Sequence, residues 1–596
     1  MTIALLPKGS GLASLGSVQE FAPGLMSAGI GGVPAAQTFL DITQGNRVSE
    51  SLYDRDLPLI RFGETGVAPV DWDEIRERAE TAPAELVPGL LASTLERAGF
   101  PARAERVVEL GRLIAANRAG RVGTDPPGGC RGRGCRALRV EEATIAELRK
   151  RVRRLEQGGL LIAFERPPPQ FRTLTIGIAG EGFDGLLTSD STRTDGLVTS
   201  TDIAPTVLGH LGVPVPGEMN GQPIRSAGDR DVGGLIALER RLEVTGERRG
   251  PVVGETLLAW LVLAGLAVAA RRGRGAVVAL RLLALALAYL PLILLLTPLL
   301  DPSLLAERLL AGLAPLGLAA LSWRLVGGWR ALAIACLATV CAYAVDVIAG
   351  SILVPLSIPG PNPVSGSRFY GIGNEIEATV AALLPLGIGA LLASHASTRD
   401  GGRMAAAAFL AAGIAGVAAF ALGRFGADVG AAIVLPAGTA VAAAVALGTR
   451  RGLIAVILVP IGGISALMAA DVVLGGEAHL TRSLLDAGGL DEAADVLERR
   501  VRLAASSFTR SSSLPFLAAA LAVIAIGVRE RNRVRSWFVE RSAWAGFLGA
   551  LAAAIVGTVS NDSGVVLLIL GTAFCLVVAG YAWSLRQGAS EGGPLR

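Results

Sequence analysis

LLALALAYLPLILLLTPL, residues 282–299, contains no charged side chain and is long enough to cross a lipid bilayer as a helix, because about 20 mostly apolar residues span the hydrocarbon core. Ten other segments beyond residue 250 are also mostly apolar and of similar length. The candidate spans are 253–270, 282–299, 304–321, 331–349, 373–394, 404–422, 429–447, 453–470, 513–528, 543–560 and 563–584. The sequence therefore predicts an all-α polytopic transmembrane bundle of about eleven helices.

The composition agrees with a membrane protein that carries a soluble domain. Of 596 residues, 51% are hydrophobic and 18% are charged, whereas soluble proteins carry about 25% charged residues. Residues 1–250 have an ordinary soluble composition, which excludes a disordered or fibrous chain. Lys8 and Lys150 are the only lysines among 55 basic residues, and no basic stripe with interleaved aromatics predicts nucleic-acid binding. Five cysteines exclude a disulfide scaffold; Cys130 and Cys135 could pair outside the cell, and their spacing fits no zinc site.

Arginines set the expected orientation. Alternate loops and the tail at 586–596 carry 17 arginines, and the intervening loops carry 8, so the first set is expected in the cytoplasm. Residues 1–250 then lie outside and the C-terminus lies inside, in the cytoplasmic membrane of a bacterium. Arg248 and Arg249, just before the first span, argue against this orientation. The opening MTIALLP reads as a strand and not as a signal peptide. We therefore expect an upstream segment; translocation by the first span is the alternative.

The N-terminal region alternates short apolar runs with amphipathic helical patterns, which predicts an α/β domain with a largely parallel sheet. The predicted strands are 3–6, 57–60, 160–164, 174–178 and 185–188, and the predicted helices are 88–97, 105–117 and 141–156.

One stretch of this region is the most specific signal in the chain. Residues 189–214 read SDSTRTDGLVTSTDIAPTVLGHLGVP, and MNGQP follows at 219–223. This pattern resembles the C-terminal part of the alkaline phosphatase superfamily, which includes sulfatases and phosphoglycerate mutases. The same residues also read as a capped helix, with Thr201 or Asp202 as N-cap and Pro205 in the first turn.

The resemblance implies two metal ions held by Asp and His and a Ser, Thr or Cys nucleophile, and this sequence departs from each requirement. Leu6–Gly9 supplies no metal-binding Asp after the first strand. In the nucleophile-like segment 31–47, Gly32 stands where Ser or Thr is expected, and Thr38 and Thr43 are poor substitutes. The region has one histidine, His210, and Ser191 follows Asp190 where a His is expected. We therefore expect a non-catalytic domain with no metal and no cofactor, and no catalytic residue is assigned.

Polar motifs at the outer ends of the predicted spans are the candidate substrate site. They lie at 367–377, 423–430 and 560–564, and Asp346 lies late in the fourth span. Arginine can bind phosphate through its planar fork, and the carboxylates, Glu375 and Asp428 first, can act as bases or ligands. Polar residues at helix ends are also common in connecting turns that have no function. A shared binding site therefore requires that the three motifs lie close together in the folded chain. The predicted binding residues are Arg368, Tyr370, Asn374, Glu375, Glu377, Arg424, Asp428, Asn561 and Asp562.

The predicted organisation is an alkaline phosphatase-like α/β extracytoplasmic domain at 1–225, a linker at 226–252, a transmembrane domain at 253–585 with a long outer loop and amphipathic helix at 471–512, and a tail at 586–596. The first functional hypothesis is a transporter or flippase for an anionic, lipid-linked envelope substrate, with membrane lipid as its partner. The alternatives are a glycosyl- or phosphotransferase of the outer leaflet, and an envelope sensor or scaffold. A transporter needs polar groups through the bilayer depth, whereas a transferase needs them on one face.

Overall fold

A computed structural model describes residues 1–63, 66–123, 137–168, 173–271, 274–395, 401–448, 514–561 and 563–590. The chain forms two compact units. The first comprises Met1–Val244 together with Asn362–Phe369, and the second comprises Thr245–Pro361 with Tyr370–Arg596.

A seven-stranded mixed sheet forms the centre of the first unit. Its strands, together with four short strands outside it, are β1 Thr2–Leu6, β2 Ala22–Ser27, β3 Phe62–Gly63, β4 Gly66–Val67, β5 Ala102–Ala104, β6 Leu138–Glu142, β7 Leu160–Glu165, β8 Thr173–Gly180, β9 Leu186–Thr188, β10 Leu197–Thr199 and β11 Arg225–Ala227. The order in the main sheet is β10-β2-β8-β7-β1-β6-β5. Only β8 runs antiparallel to its neighbours β2 and β7, so the carboxyl ends of the other six strands lie at one edge.

Short helices cover the sheet. They are α1 Leu12–Gly16, α2 Ala35–Gln44, α3 Pro69–Glu80, α4 Leu90–Arg97, α5 Ile145–Val152 and α6 Ile203–His210. Four predicted strands are confirmed as β1, β7, β8 and β9. Apolar cores pack on both faces of the main sheet, which explains why these runs do not alternate apolar with polar residues.

Three predictions for this unit were wrong in detail. Residues 57–60 form no strand, and residues 109–115 form a 3₁₀ helix within the predicted helix 105–117. The predicted helix 141–156 begins only at Ile145, because Leu138–Glu142 pairs with β1 as strand β6. The capping box between Thr144 and Glu147 fixes that later start.

The second unit is helical. Its helices are α7 Val232–Arg271, which begins in the first unit, α8 Arg274–Leu296, α9 Leu304–Leu325, α10 Gly328–Ile348, α11 Asn374–Ala393, α12 Gly401–Phe420, α13 Val429–Leu447, α14 Leu514–Arg529, α15 Arg531–Trp537, α16 Arg541–Ser560 and α17 Gly564–Ser590. Among the described residues, nine helices are long and apolar enough to cross a membrane, and α14 is a shorter apolar helix. Ten of the eleven predicted spans therefore coincide with helices. The predicted span 453–470, the outer loop 471–512, and Cys130 and Cys135 lie outside the described residues.

The predicted linker at 226–252 is largely helical. Helix α7 begins at Val232 and continues through Pro251. Leu235 and Leu242 are buried on this helix, and packing of such side chains outweighs the local cost of Gly and Pro.

Small residues let the helices that carry the polar motifs approach closely. A side chain on Gly549 of α16 would lie 2.6 Å from the Gly438 carbonyl of α13, and one on Gly546 would lie 2.4 Å from the Pro385 carbonyl of α11. Helix α16 therefore packs against both α11 and α13 at backbone distance, as small residues allow in membranes.

Candidate functional site

Polar side chains from three helices meet inside the second unit. Glu377 lies in the first turn of α11, Asp428 precedes α13, and Asn561 follows α16. The Asn561 amide donates a hydrogen bond to Glu377 Oε2 at 2.5 Å. All three side chains are buried, with 1%, 4% and 7% of their surfaces exposed for Glu377, Asp428 and Asn561. One member from each of the three predicted motifs is therefore present in this polar cluster.

The start of α13 completes the polar cluster. Asp428 Oδ1 accepts hydrogen bonds from the Gly430 and Ala431 amides at 2.8 and 3.4 Å. A side chain on Gly430 would lie 2.5 Å from Glu377 Oε1 and 2.8 Å from Asn561 Nδ2. Only glycine allows the beginning of α13 to approach Glu377 and Asn561 this closely, and the helix dipole there favours a carboxylate.

Backbone contacts hold the first two motifs together. The Ile372 amide donates to the Gly426 carbonyl at 3.1 Å, and the Gly371 amide donates to Ser351 Oγ at 3.0 Å. The turn before α11 and the turn before α13 are thus fixed to each other, which sets the positions of Glu377 and Asp428.

The other described residues of the predicted site are less buried than these three. Glu375 is partly exposed and pairs with Arg249 at 3.1 Å. Arg424 is exposed in the turn between α12 and α13, and Tyr370 and Asn374 are partly buried near the start of α11. Arg368 belongs to the first unit. Asp562 lies outside the described residues, so its place in the cluster stays a prediction.

Sequence analysis missed two basic residues at this end of the bundle. Arg248 pairs with Glu307 at 2.9 Å, and the Glu307 side chain is fully buried. Arg249 donates to the Ile358 carbonyl at 2.8 Å as well as to Glu375. Their signal was visible as a double arginine before an apolar span, but it was weighed only as evidence on orientation.

Buried acidic side chains of the described spanning helices lie near helix ends. Glu307 is at the start of α9, Asp346 at the end of α10, and Glu377 at the start of α11. A short connection makes α9 and α10 antiparallel, and the Gly371 amide just before α11 donates to Ser351 Oγ just after α10 at 3.0 Å. These positions therefore share one end of the bundle, whereas Arg281 lies towards the other end, beside Ser584. Asp346 has a structural role, since it accepts the Leu353 and Val354 amides at 2.8 and 2.9 Å.

In the first unit, the motif that resembles the phosphatase superfamily is organised around Asp202. This fully buried carboxylate accepts four hydrogen bonds, from the Ser189 and Ser191 hydroxyls at 2.7 and 2.6 Å and from the Thr199 and Gln222 amides at 2.9 Å each. Asp202 is the N-cap residue of α6, one of the two predicted, but its side chain makes no capping hydrogen bond to α6. It instead forms a capping box with Thr199 for the preceding turn, Ser200–Asp202.

The remaining residues of the resemblance are dispersed. Asp190 pairs with Arg225 at the surface, and the exposed His210 has its ring Nε2 3.1 Å from the Gly158 carbonyl. Thr38 and Thr43 are buried in α2. Within the part of the chain that the structure describes, no group of three or more His, Cys, Asp or Glu could hold a metal ion.

A buried polar network that the sequence did not reveal surrounds Asp41 in α2. Gln37 donates to Asp41 Oδ1 at 2.7 Å and accepts from Arg78 at 2.9 Å, while Arg78 pairs with Glu50 at 2.6 Å. Burial raises the pKa of the Asp41 carboxyl to about 8, although the Gln37 hydrogen bond opposes this shift.

We expect Asp41→Asn to stabilise the protein in a pH-dependent way. The folded carboxyl stays neutral up to about pH 8, whereas an unfolded one ionises near pH 4. Wild-type stability should therefore fall as the pH rises from about 4 to 8. The variant should gain up to about 5 kcal/mol at pH 8 and little near pH 4.5, as thermal unfolding of the full chain in detergent would show. Exposed Asp54→Asn is the control, and an equal gain at both pH values would contradict the assignment.

Comparisons with protein families, with curated proteins and with solved structures find no match to this chain.

Proposed function

We propose that this chain is a multi-pass protein of the bacterial cytoplasmic membrane that moves an anionic, lipid-linked envelope substrate at the outer leaflet, as a transporter or flippase does. The observation that carries the proposal is the buried contact among Glu377, Asn561 and the start of α13. The first unit, as a degenerate relative of the alkaline phosphatase superfamily, would serve as a binding or regulatory module.

Burial of the polar cluster in a membrane bundle is unfavourable in free energy. A buried carboxylate in a membrane bundle costs several kcal/mol unless it is paired or hydrogen-bonded, so such groups mark ligand or proton pathways by default. Asn561 and the amides at the start of α13 offset part of this cost for Glu377 and Asp428. In this proposal the carboxylates take the proton or cation that accompanies the substrate, and the exposed Arg424 attracts its anionic group.

Glu377→Gln tests the proposal, because glutamine keeps the shape and removes the charge. In vesicles containing the purified full chain and a fluorescent phosphatidylglycerol, the wild-type protein should carry outer label inward and inner label outward, as quenching by external dithionite reports. The variant should slow this exchange at least tenfold.

Glu255→Gln is the matched control for this measurement, since Glu255 forms a more exposed pair with Arg308 at 2.7 Å. It should exchange lipid at the wild-type rate. Equal rates for Glu377→Gln, Glu255→Gln and protein-free vesicles would refute the transport proposal.

A transferase of the outer leaflet is the second candidate, favoured by the distribution of charge. In the described helices the buried acidic groups lie at one end of the bundle and not along its depth. Here Glu377 or Asp428 would act as a base on the acceptor. Mass spectrometry of envelope lipids from cells with wild-type protein or Glu377→Gln would then show loss of one modified lipid, while lipid exchange in vesicles stays at the protein-free level.

The proposed orientation places the Glu377 end of the bundle outside and the C-terminus inside. A reporter that is active only in the cytoplasm should be active when fused after Arg596, or after Arg330 in a truncated chain, and inactive after Asp301. The physical reason is the excess of arginines in the loops assigned to the cytoplasm. The reverse pattern of activity would move the polar cluster to the cytoplasmic face and overturn the outer-leaflet proposal.

A further inference from the structure

A short segment distant in sequence contacts residues at and after the end of β2 in the first unit. Asn362–Phe369 belongs to this unit although the residues on both sides of it do not. It adds no strand to the sheet; Pro363–Ser365 forms one 3₁₀ turn, and Gly366 follows with a left-handed backbone. We call Asn362–Phe369 the strap.

The strap contacts the carboxyl end of β2 and the turn that follows it. The Gly31 amide donates to the Ser365 carbonyl at 2.7 Å. Arg47 donates to the Gly366 carbonyl at 2.9 Å and to the Ser27 carbonyl at 3.1 Å. The carbonyl oxygens of Ser365 and Gly366, two successive residues of the strap, thus accept hydrogen bonds from the Gly31 amide and the Arg47 guanidinium.

Two further features favour docking of the strap on the residues that follow β2. The Arg47 guanidinium lies 5.6 Å from the centre of the Phe369 ring, in the geometry of a cation–π contact. Gly366 has φ +72°, and a side chain there would lie 1.9 Å from the Gly29 carbonyl. Glycine is therefore required at Gly366 both for its backbone conformation and for close approach.

The position of the strap beside the carboxyl end of β2 indicates a function for it. In sheets built from parallel strands, ligands bind beyond the carboxyl ends of the strands, and β2 and β10 end side by side at this edge. We propose that the strap is a releasable autoinhibitory segment that covers the carboxyl end of β2, so that a ligand reaches this edge of the first unit only after the strap undocks.

The contacts explain why release does not require unfolding of the sheet. Ser365, Gly366 and Phe369 of the strap contact Gly31 and Arg47, whereas β2 is paired along its length with β8 and also with β10. Segments with few stabilising contacts open locally while the core stays folded.

Hydrogen exchange of the full chain in nanodiscs tests the proposal. Gly366→Ala should accelerate exchange of the Gly31 amide at least tenfold and leave the amides of β1 and β7 at the wild-type rate. Gly32→Ala is the matched control, because a side chain at Gly32 meets nothing within 4 Å. Arg47→Met should reproduce the Gly366→Ala result without adding a side chain to the strap.

Alkylation of Ser27→Cys, followed by mass mapping of the labelled peptide, tests whether release opens the edge. Ser27 is almost fully buried, and Gly366→Ala should raise the labelling rate of Cys at position 27 at least tenfold.

Faster exchange throughout β1 and β7 would show that the strap is an integral part of the core, and unchanged exchange at Gly31 would show that these contacts do not hold it. Faster exchange at Gly31 without faster labelling at residue 27 would show that the strap does not close the edge. Each of these three results would overturn the proposal.

Discussion

Asn561→Asp is expected to destabilise the second unit strongly above about pH 7 and much less near pH 5. The substitution places a carboxyl group against Glu377, where Nδ2 and Oε2 are now 2.5 Å apart. At low pH one proton can be shared between the two carboxyl groups, whereas at higher pH two buried like charges must coexist or retain that proton at a cost. The penalty at pH 8 should be about 3–5 kcal/mol.

Thermal unfolding of the full chain in detergent at pH 5 and pH 8 measures this effect. Asn561→Ala removes the hydrogen bond without adding a charge, so its loss of stability should be smaller at pH 8. Lipid exchange should also stop with Asn561→Asp at pH 8. A loss of stability that is equal for both variants and at both pH values would show that the residue 561 side chain does not face Glu377.

The membrane helices could be predicted because their signal is local. A run such as 282–299 specifies a spanning helix by composition and length alone, and α8 covers most of it. Elements that depend on distant partners were missed. Strand β2 contains Pro23 and Gly24, which read locally as a turn, yet its pairing with β8 and β10 fixes it as a strand.

The candidate site was predictable only in outline. Alternating helix direction placed three polar motifs at one end of the bundle, and the structure brings Glu377, Asp428 and Asn561 together there. Which member of each motif turns inward depends on packing: Glu377 is buried, whereas Glu375, two residues earlier on the same helix, is partly exposed and pairs with Arg249. Positions two apart on a helix point in different directions, and no pattern in the sequence showed which of them faces α13.

The position of the strap could not be predicted from the sequence either, because it depends on a contact between residues far apart in the chain. Arg368 was predicted as a substrate ligand because it stands in one motif with Glu375 and Glu377. The structure divides this motif, with Asn362–Phe369 in the first unit and the residues from Tyr370 onward in the second, and the role of Arg368 as a ligand stays a prediction. Sequence proximity was a poor guide because Gly366 and Arg47, 319 positions apart, make the contact that places the segment.

Asp202→Ala is expected to have the largest effect on the first unit. The Asp202 carboxylate accepts four hydrogen bonds, from the Ser189 and Ser191 hydroxyls and the Thr199 and Gln222 amides, and so joins three short chain segments. Hydrogen bonds to a charged group contribute about 1.5–3 kcal/mol each, and the buried donors of Ser189 and Thr199 would be left without this acceptor. Because these losses are not additive, we expect a total of about 4 kcal/mol.

Asp190→Ala is the matched control, because Asp190 lies in the same motif but pairs with Arg225 at the surface, where both side chains are more than half exposed. Its cost should stay below about 1 kcal/mol. Hydrogen exchange of the full chain should show fast exchange across β9, β10 and α6 for Asp202→Ala and wild-type exchange for Asp190→Ala. If Asp190→Ala were the more damaging of the two, the motif would have a role that its hydrogen bonds do not explain, and the view that the structural role of Asp202 accounts for this motif would fail.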